Sequence, residues 1–69
     1  MTIMQDSFGQ RLRHLREARG WRQSDLSALV GTEVDLSRLE RDMKNPKIDT
    51  LRKLAKALGV RIADLTGEE

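Results

Sequence analysis

The sequence predicts an all-α protein, a compact bundle of five short helices. Three observations carry this reading. Apolar residues recur at three- and four-residue spacing in separate short segments, which is the period of one helix face. Gly20, Gly31 and Gly59 follow those segments, where helices stop in the left-handed conformation. No stretch alternates apolar with polar residues and no β-turn dipeptide is present, so no sheet is expected.

Each helix has its own justification. Ser7 and Gln10 form a capping-box pair that opens helix 1, with Phe8, Leu12 and Leu15 on its inner face. Gly20 stops it. Helix 2 runs from about Gln23 to Val30 with Leu26, Leu29 and Val30 inward, and Gly31 ends it. Thr32 with Asp35 is a second cap pair, opening helix 3, whose inward stripe is Leu36 and Leu39. The segment 42–45 reads as a loop. Asn45-Pro46 reads as an N-cap followed by proline at the first helical position. Helix 4 then carries Ile48, Leu51, Leu54, Ala55 and Leu58 inward as far as Gly59. Ile62 and Leu65 make a last short helix.

The 69 residues make one domain, with a core expected over about 8–65. A chain this short buries only about 60% of the surface its unfolded form exposes. There is no cysteine, which excludes disulfides, thiolate zinc sites and thiol catalysis. The single histidine excludes a multi-histidine metal site. No cofactor is expected. The carboxylates show no paired arrangement of the kind a hydrolase needs, and no glycine-rich phosphate loop is present, so the chain reads as a non-enzyme. No apolar run approaches the ~20 residues of a membrane span. Met1 to Ser7 lacks the basic start and apolar stretch of a signal peptide, and a cytoplasmic location follows as an expectation.

Net charge is only +2, but its distribution is uneven. All thirteen basic residues lie between Arg11 and Arg61, against seven acids there, a local excess of +6. Acid is pushed to the ends, at Asp6, Asp64, Glu68 and Glu69. Such a body suits a polyanion and equally suits a solvated helical surface.

The informative segment is Gln23 to Leu39. A helix of eight residues ends at a glycine, a few residues turn the chain, and a second helix begins. Helices joined so tightly cross steeply, and the second projects from the surface as a helix entering a DNA major groove does. The residues Phe8-Gly9-Gln10-Arg11-Leu12, Leu15-Arg16, Gly20-Trp21-Arg22-Gln23 and Asp25-Leu26 continue through Gly31, Leu36-Ser37-Arg38-Leu39-Glu40 and Asn45-Pro46 to 50–60. In that order and spacing the sequence resembles the phage-repressor-like (Xre-type) helix-turn-helix family. The likeness covers about 8–65, nearly the whole chain.

The resemblance implies a five-helix, lambda-repressor-like DNA-binding fold, usually dimeric, of bacterial or phage origin. It implies that Gln23 contacts a phosphate and braces the reading side chain on helix 3; the alternative is a plain polar first residue. Arg38 points into the groove, where a guanidinium matches the two acceptors of guanine, or else is a surface arginine paired with Asp35 or Asp42. Ser37 matches a position that touches DNA. Val34 either meets a thymine methyl or packs. Glu33 either accepts from a cytosine amino group or faces solvent. Phosphate contacts fall to Arg22, Ser24, Arg41, Lys44, Asn45 and Lys47, flanking the groove. Arg16 and Glu40 are implied to form a largely buried structural ion pair. Trp21 takes an apolar position between helices 1 and 2. Ile62 and Leu65 are the expected dimer contact.

The sequence departs from the family in four places. The turn between Gly31 and Leu36 is one residue shorter, which makes Thr32 the cap if helix 3 stays intact. Ser27 stands where alanine is usual. Arg22 replaces a small N-cap, at a cost of about 1 kcal/mol to helix 2. Asp42 replaces a glycine after helix 3, and aspartate tolerates the left-handed conformation. The segment Thr32 to Arg41 is also mildly acidic, with Arg38 and Arg41 against Glu33, Asp35 and Glu40.

The expected function is a sequence-specific transcriptional regulator, a repressor or controller binding a pseudo-palindromic operator as a homodimer. Its partner is double-stranded DNA, not a membrane. The rival readings are an antitoxin or adaptor module whose surface holds a protein such as a toxin or polymerase, and the DNA-binding half of a longer regulator.

Overall fold

A computed structural model of the chain describes residues 7–67. The expectations placed on Met1 to Asp6 and on Glu68 and Glu69 lie outside the described residues. The order is α1 (Phe8–Glu17), α2 (Gln23–Val30), α3 (Leu36–Glu40), α4 (Ile48–Leu58) and α5 (Ile62–Thr66). Among the described residues there is no strand. No helix among them is long and apolar enough to cross a membrane.

Local chemistry accounts for most of the boundaries. The Ser7 hydroxyl accepts from the Gln10 amide at 3.2 Å, and the Gln10 side chain accepts from the Ser7 amide at 3.0 Å. Two of the four orphan donors at the start of α1 are thereby satisfied. Gly31 ends α2 at φ 107°, a backbone that side chains strongly disfavour. Asp42 adopts φ 57° after α3, as the left-handed aspartate expected there.

The core joins all five helices. Leu12 from α1, Leu26 and Val30 from α2, Leu36 and Leu39 from α3, Leu54, Ala55 and Leu58 from α4, and Leu65 from α5 are buried together. Phe8, Leu15 and Trp21 pack against them, partly exposed. Helix α1 lies against α3 and α5, while α2 lies against α4 and α3. The sandwich holds α3 between α1 and α2.

Five expectations need correction. Helix α3 does not open at Thr32: Asp35 is its N-cap, and residues 32–34 form the turn. The reason is Val34, which is buried in the core. Pulling it inward consumes the chain that would otherwise make the first helical turn. Asn45-Pro46 does not open α4; Lys47 is the N-cap, and the first bond of the helix runs from the Leu51 amide to the Lys47 carbonyl. The buried stripe from Leu54 to Leu58 is satisfied without the extra turn. Leu29, read as inward, is 58% exposed. Leu26 and Val30, four residues apart, define the buried line, and Leu29 stands about 100° away from Val30 around the helix. Ile48 is 54% exposed, at the open first turn of α4. Leu65 is fully buried, so it belongs to the core and not to a dimer contact. Ile62 is half-buried against the same core.

Gly9 sets the approach of α1 to α3. A Cβ built there would meet the Glu40 carbonyl group and come within 2.7 Å of the Leu39 carbonyl oxygen. Its amide donates to Asp42 Oδ1 at 2.9 Å, and the Ser7 hydroxyl donates to Asp42 Oδ2. Backbone atoms cannot yield as a flexible side chain can. Gly9→Ala is therefore expected to destabilise the domain by about 2 kcal/mol, in the range of overpacked cores. Urea denaturation followed by circular dichroism measures it; a midpoint equal to wild type would show that α1 and α3 separate at no cost.

Candidate nucleic-acid interface

Helix α3 is five residues long, too short to hold its shape alone. A local cap and a tertiary anchor fix its two ends. At its start the Asp35 carboxylate accepts from the Arg38 amide at 3.1 Å. At its end the buried Glu40 carboxylate receives Arg16 through both of its oxygens, Nε at 2.7 Å and Nη2 at 3.0 Å. The third arm of the same guanidinium, Nη1, donates to the Trp21 carbonyl at 2.7 Å. Gln23 Nε2 donates to Glu40 Oε1 at 3.1 Å. One carboxylate thus ties α1, the entry to α2 and the end of α3. The hydrogen bond to Glu40 holds the Arg16 pKa above its ordinary value despite burial.

Between these anchors the outer side of α3 is open. Arg38 and Arg41 are exposed and Ser37 is half-buried. The Arg41 guanidinium donates to the Ser37 carbonyl at 3.3 Å and to its hydroxyl at 3.2 Å. Arg38 Nε lies 3.5 Å from Asp35 Oδ2, with its side chain 63% exposed. A shallow cleft runs beside α3, lined from α2 by Gln23, Ser24 and Ser27, from the turn by Thr32, Glu33, Val34 and Asp35, and from α3 by Leu36 and Ser37. Arg22 and Ser24 stand exposed at the start of α2, and Arg22 offers no side-chain cap; instead its amide donates to Asp25 at 2.7 Å. On the far side Lys44, Asn45 and Lys47 border a second cavity of about 230 Å³ beside Val34 and Asp35.

The structure sorts the expected site residues. Arg22, Ser24, Ser37, Arg38, Arg41, Lys44, Asn45 and Lys47 flank or form the open side of α3. Val34 is 8% exposed and packs in the core, the second of its two readings. Glu33 lies in the turn and not on α3, and it pairs with Lys53 of α4 at 3.3 Å. Its own backbone amide, and then Lys53, hold the Glu33 carboxyl below its ordinary pKa. Gln23 does reach α3, but at Glu40 and not at Arg38. The pairing of Lys53 with Glu33 and the clasp of Asp42 on Ser7 and Gly9 are absent from the sequence reading, which leaves Lys53 as surface. Their partners lie 20 and more than 30 residues away in the chain, and nothing in the local pattern links them.

Two helices at this spacing, with the second presented between anchors, meet a direct comparison. Residues 12–65 match the helix-turn-helix family. The chain belongs to it. Within this family the sequence is 42% identical over 57 residues to the HTH-type transcriptional regulator DdrOP3 of Deinococcus deserti, covering 81% of this chain and 44% of that protein. It is 36% identical over 64 residues to the immunity repressor protein of Bacillus phage phi105, covering 91% of this chain and 44% of that protein. This helix-turn-helix chain therefore spans less than half the length of these two relatives. The P22 c2 repressor, solved in complex with a synthetic operator, superposes with a TM-score of 0.84 at 30% identity, over 94% of this chain and all of that one. The all-helical, lambda-repressor-like architecture is common to both.

The buried pair generates a stability prediction. Removing one partner strands the other charge away from water, at a cost of about 3–5 kcal/mol. Arg16→Met leaves Glu40 with only Gln23 and is expected to lose that amount in urea denaturation. A domain this size holds about 3–10 kcal/mol in all, so the variant should be largely unfolded at 37 °C. A loss below about 1 kcal/mol would mean that the pair contributes orientation and no stability.

Proposed function

We propose that the chain is a sequence-specific double-stranded DNA-binding transcriptional regulator, a repressor or controller acting in the cytoplasm of a bacterium or a phage-infected cell. It acts as a binding protein and not as an enzyme. The observation that carries this is the open side of α3. It presents Ser37, Arg38 and Arg41 between exposed donors at the start of α2 and cations in the 44–47 segment. The likeness to a repressor solved on its operator supports the same reading.

In this reading α3 enters the major groove. Arg38 donates to guanine O6 and N7, a fit worth about 1–3 kcal/mol of discrimination. Ser37 contacts the neighbouring base edge. Gln23, Arg22, Ser24, Arg41, Lys44, Asn45 and Lys47 hold the backbone on either side and set the register. A dimer would place two such helices about 34 Å apart on a pseudo-palindromic site. Ile62 is the remaining candidate for its contact surface.

Selection of duplexes from a random pool at physiological salt tests the reading. An enriched inverted repeat containing a guanine in each half-site is the expected result. Binding that is weak, unselective and lost as salt rises would refute it. On the enriched duplex, Arg38→Ala should cost about tenfold to a hundredfold in affinity and relax the preference at one base pair. Lys44→Ala should weaken all duplexes alike and lower the salt slope by about one. Equal effects of the two variants on every duplex would remove Arg38 from base reading.

A further inference from the structure

We propose that Asp35 is the positioning residue for base recognition, holding the Arg38 guanidinium by its Nε edge so that the two terminal nitrogens face the groove. This rests on the reading of Arg38 as the base contact. The observation is one carboxylate with two partners on one residue. Oδ1 accepts from the Arg38 backbone amide at 3.1 Å, while Oδ2 lies 3.5 Å from Arg38 Nε.

The geometry follows from the short turn. Because α3 opens at Leu36, Arg38 is its third residue, and an N-cap side chain accepts from the amide at that position. The cap and the guanidinium are then brought together by the backbone itself. An arginine side chain loses rotamer entropy when it is fixed against a base. A side chain already biased toward one orientation by a charge beside its Nε loses less on binding. The pairing also leaves Nη1 and Nη2 as the parallel pair that matches guanine O6 and N7. Asp35 has a second consequence. If Arg38 has no guanine to meet, holding its side chain in place gains nothing, so the pairing favours the guanine duplex over the others. The residue therefore raises discrimination.

Asp35→Asn separates this from a capping role, because asparagine caps as well as aspartate and carries no charge. Asp35→Ser, also a good cap, serves if the first variant is unstable. The probe is the duplex enriched from the random pool, with all four bases placed in turn at the position where Arg38→Ala relaxes preference. The expected result is a wild-type thermal midpoint within a few degrees and about a tenfold fall in discrimination. Affinity for the non-guanine duplexes should stay equal or rise, and Asp35→Asn should have no effect on discrimination in an Arg38→Ala background. Unchanged discrimination with affinity raised equally on all four duplexes would overturn the proposal and leave Asp35 as a cap that merely repels phosphate. Unchanged discrimination and affinity would also overturn it. If Arg38→Ala itself leaves the preference intact, the base-reading role of Arg38 fails, and the positioning role fails with it.

Discussion

The buried Glu40 carboxylate is the constraint on which the rest of the molecule depends. Leucine contacts between α1, α2 and α3 are favourable but non-directional, and they allow the helices to slide. A charge-assisted, two-pronged bond is directional and short. Glu40 takes two donors of Arg16, and Arg16 spends its remaining arm on the Trp21 carbonyl. Gln23 shares one of the same oxygens. The end of α3, the middle of α1 and the start of α2 are thus referred to one point. Desolvating two charges is costly, so the pair is weak evidence for stability and better evidence for a defined orientation. That is what a five-residue helix needs, since its own backbone bonds cannot specify where it points.

Gly9 and Asp42 complete the same constraint from the other side. Gly9 lets α1 touch the backbone of α3 directly. Asp42 turns the chain at positive φ and returns two hydrogen bonds to the N-terminus of α1. Placement of α3 thus rests on polar contacts at its end and cap, with Leu36 and Leu39 filling the space between. The outer face carries only the local Arg41–Ser37 and Arg38–Asp35 contacts and is otherwise open.

Much of this architecture was legible in the chain. Five helices could be placed from apolar spacing, from the Ser7–Gln10 box and from glycines, because those signals are local. The failures were all tertiary. Thr32 and Asp35 are both good caps at a spacing that fits a cap pair, and only the burial of Val34 decides between them. Leu29 and Ile48 sit at positions a wide apolar stripe would include, but the width of a stripe depends on what packs over it. Leu65 at an apolar C-terminal end reads equally as a contact or as core. The Arg16–Glu40 pair was visible only through family resemblance, since 24 residues separate its members. Of the candidate surface, the helix and its cations were legible; the burial of Val34 and the pairing of Glu33 with Lys53 were not, for the same reason that misplaced the cap.

The acidity of the segment from Thr32 to Arg41 argues against binding to DNA only if its carboxylates act on the phosphates, and each is engaged within the protein. Glu40 is buried against Arg16, Glu33 is held by Lys53, and Asp35 caps α3 and faces Arg38. By contrast Arg22, Lys44 and Lys47 form no ion pair among the described residues. The field near the groove is therefore set by the flanks and not by the net charge of α3. In the proposed reading, backbone attraction and base discrimination would come from different residues: cations on either side would supply the salt-sensitive part, and a short central helix with one paired arginine would supply the other. In the proposed reading, the loss of a helical turn at the start of α3 would narrow the base-reading face to Ser37 and Arg38. A regulator of the proposed kind would gain selectivity by pairing two narrow half-sites and by holding each reading side chain in place, because it would have few side chains with which to read.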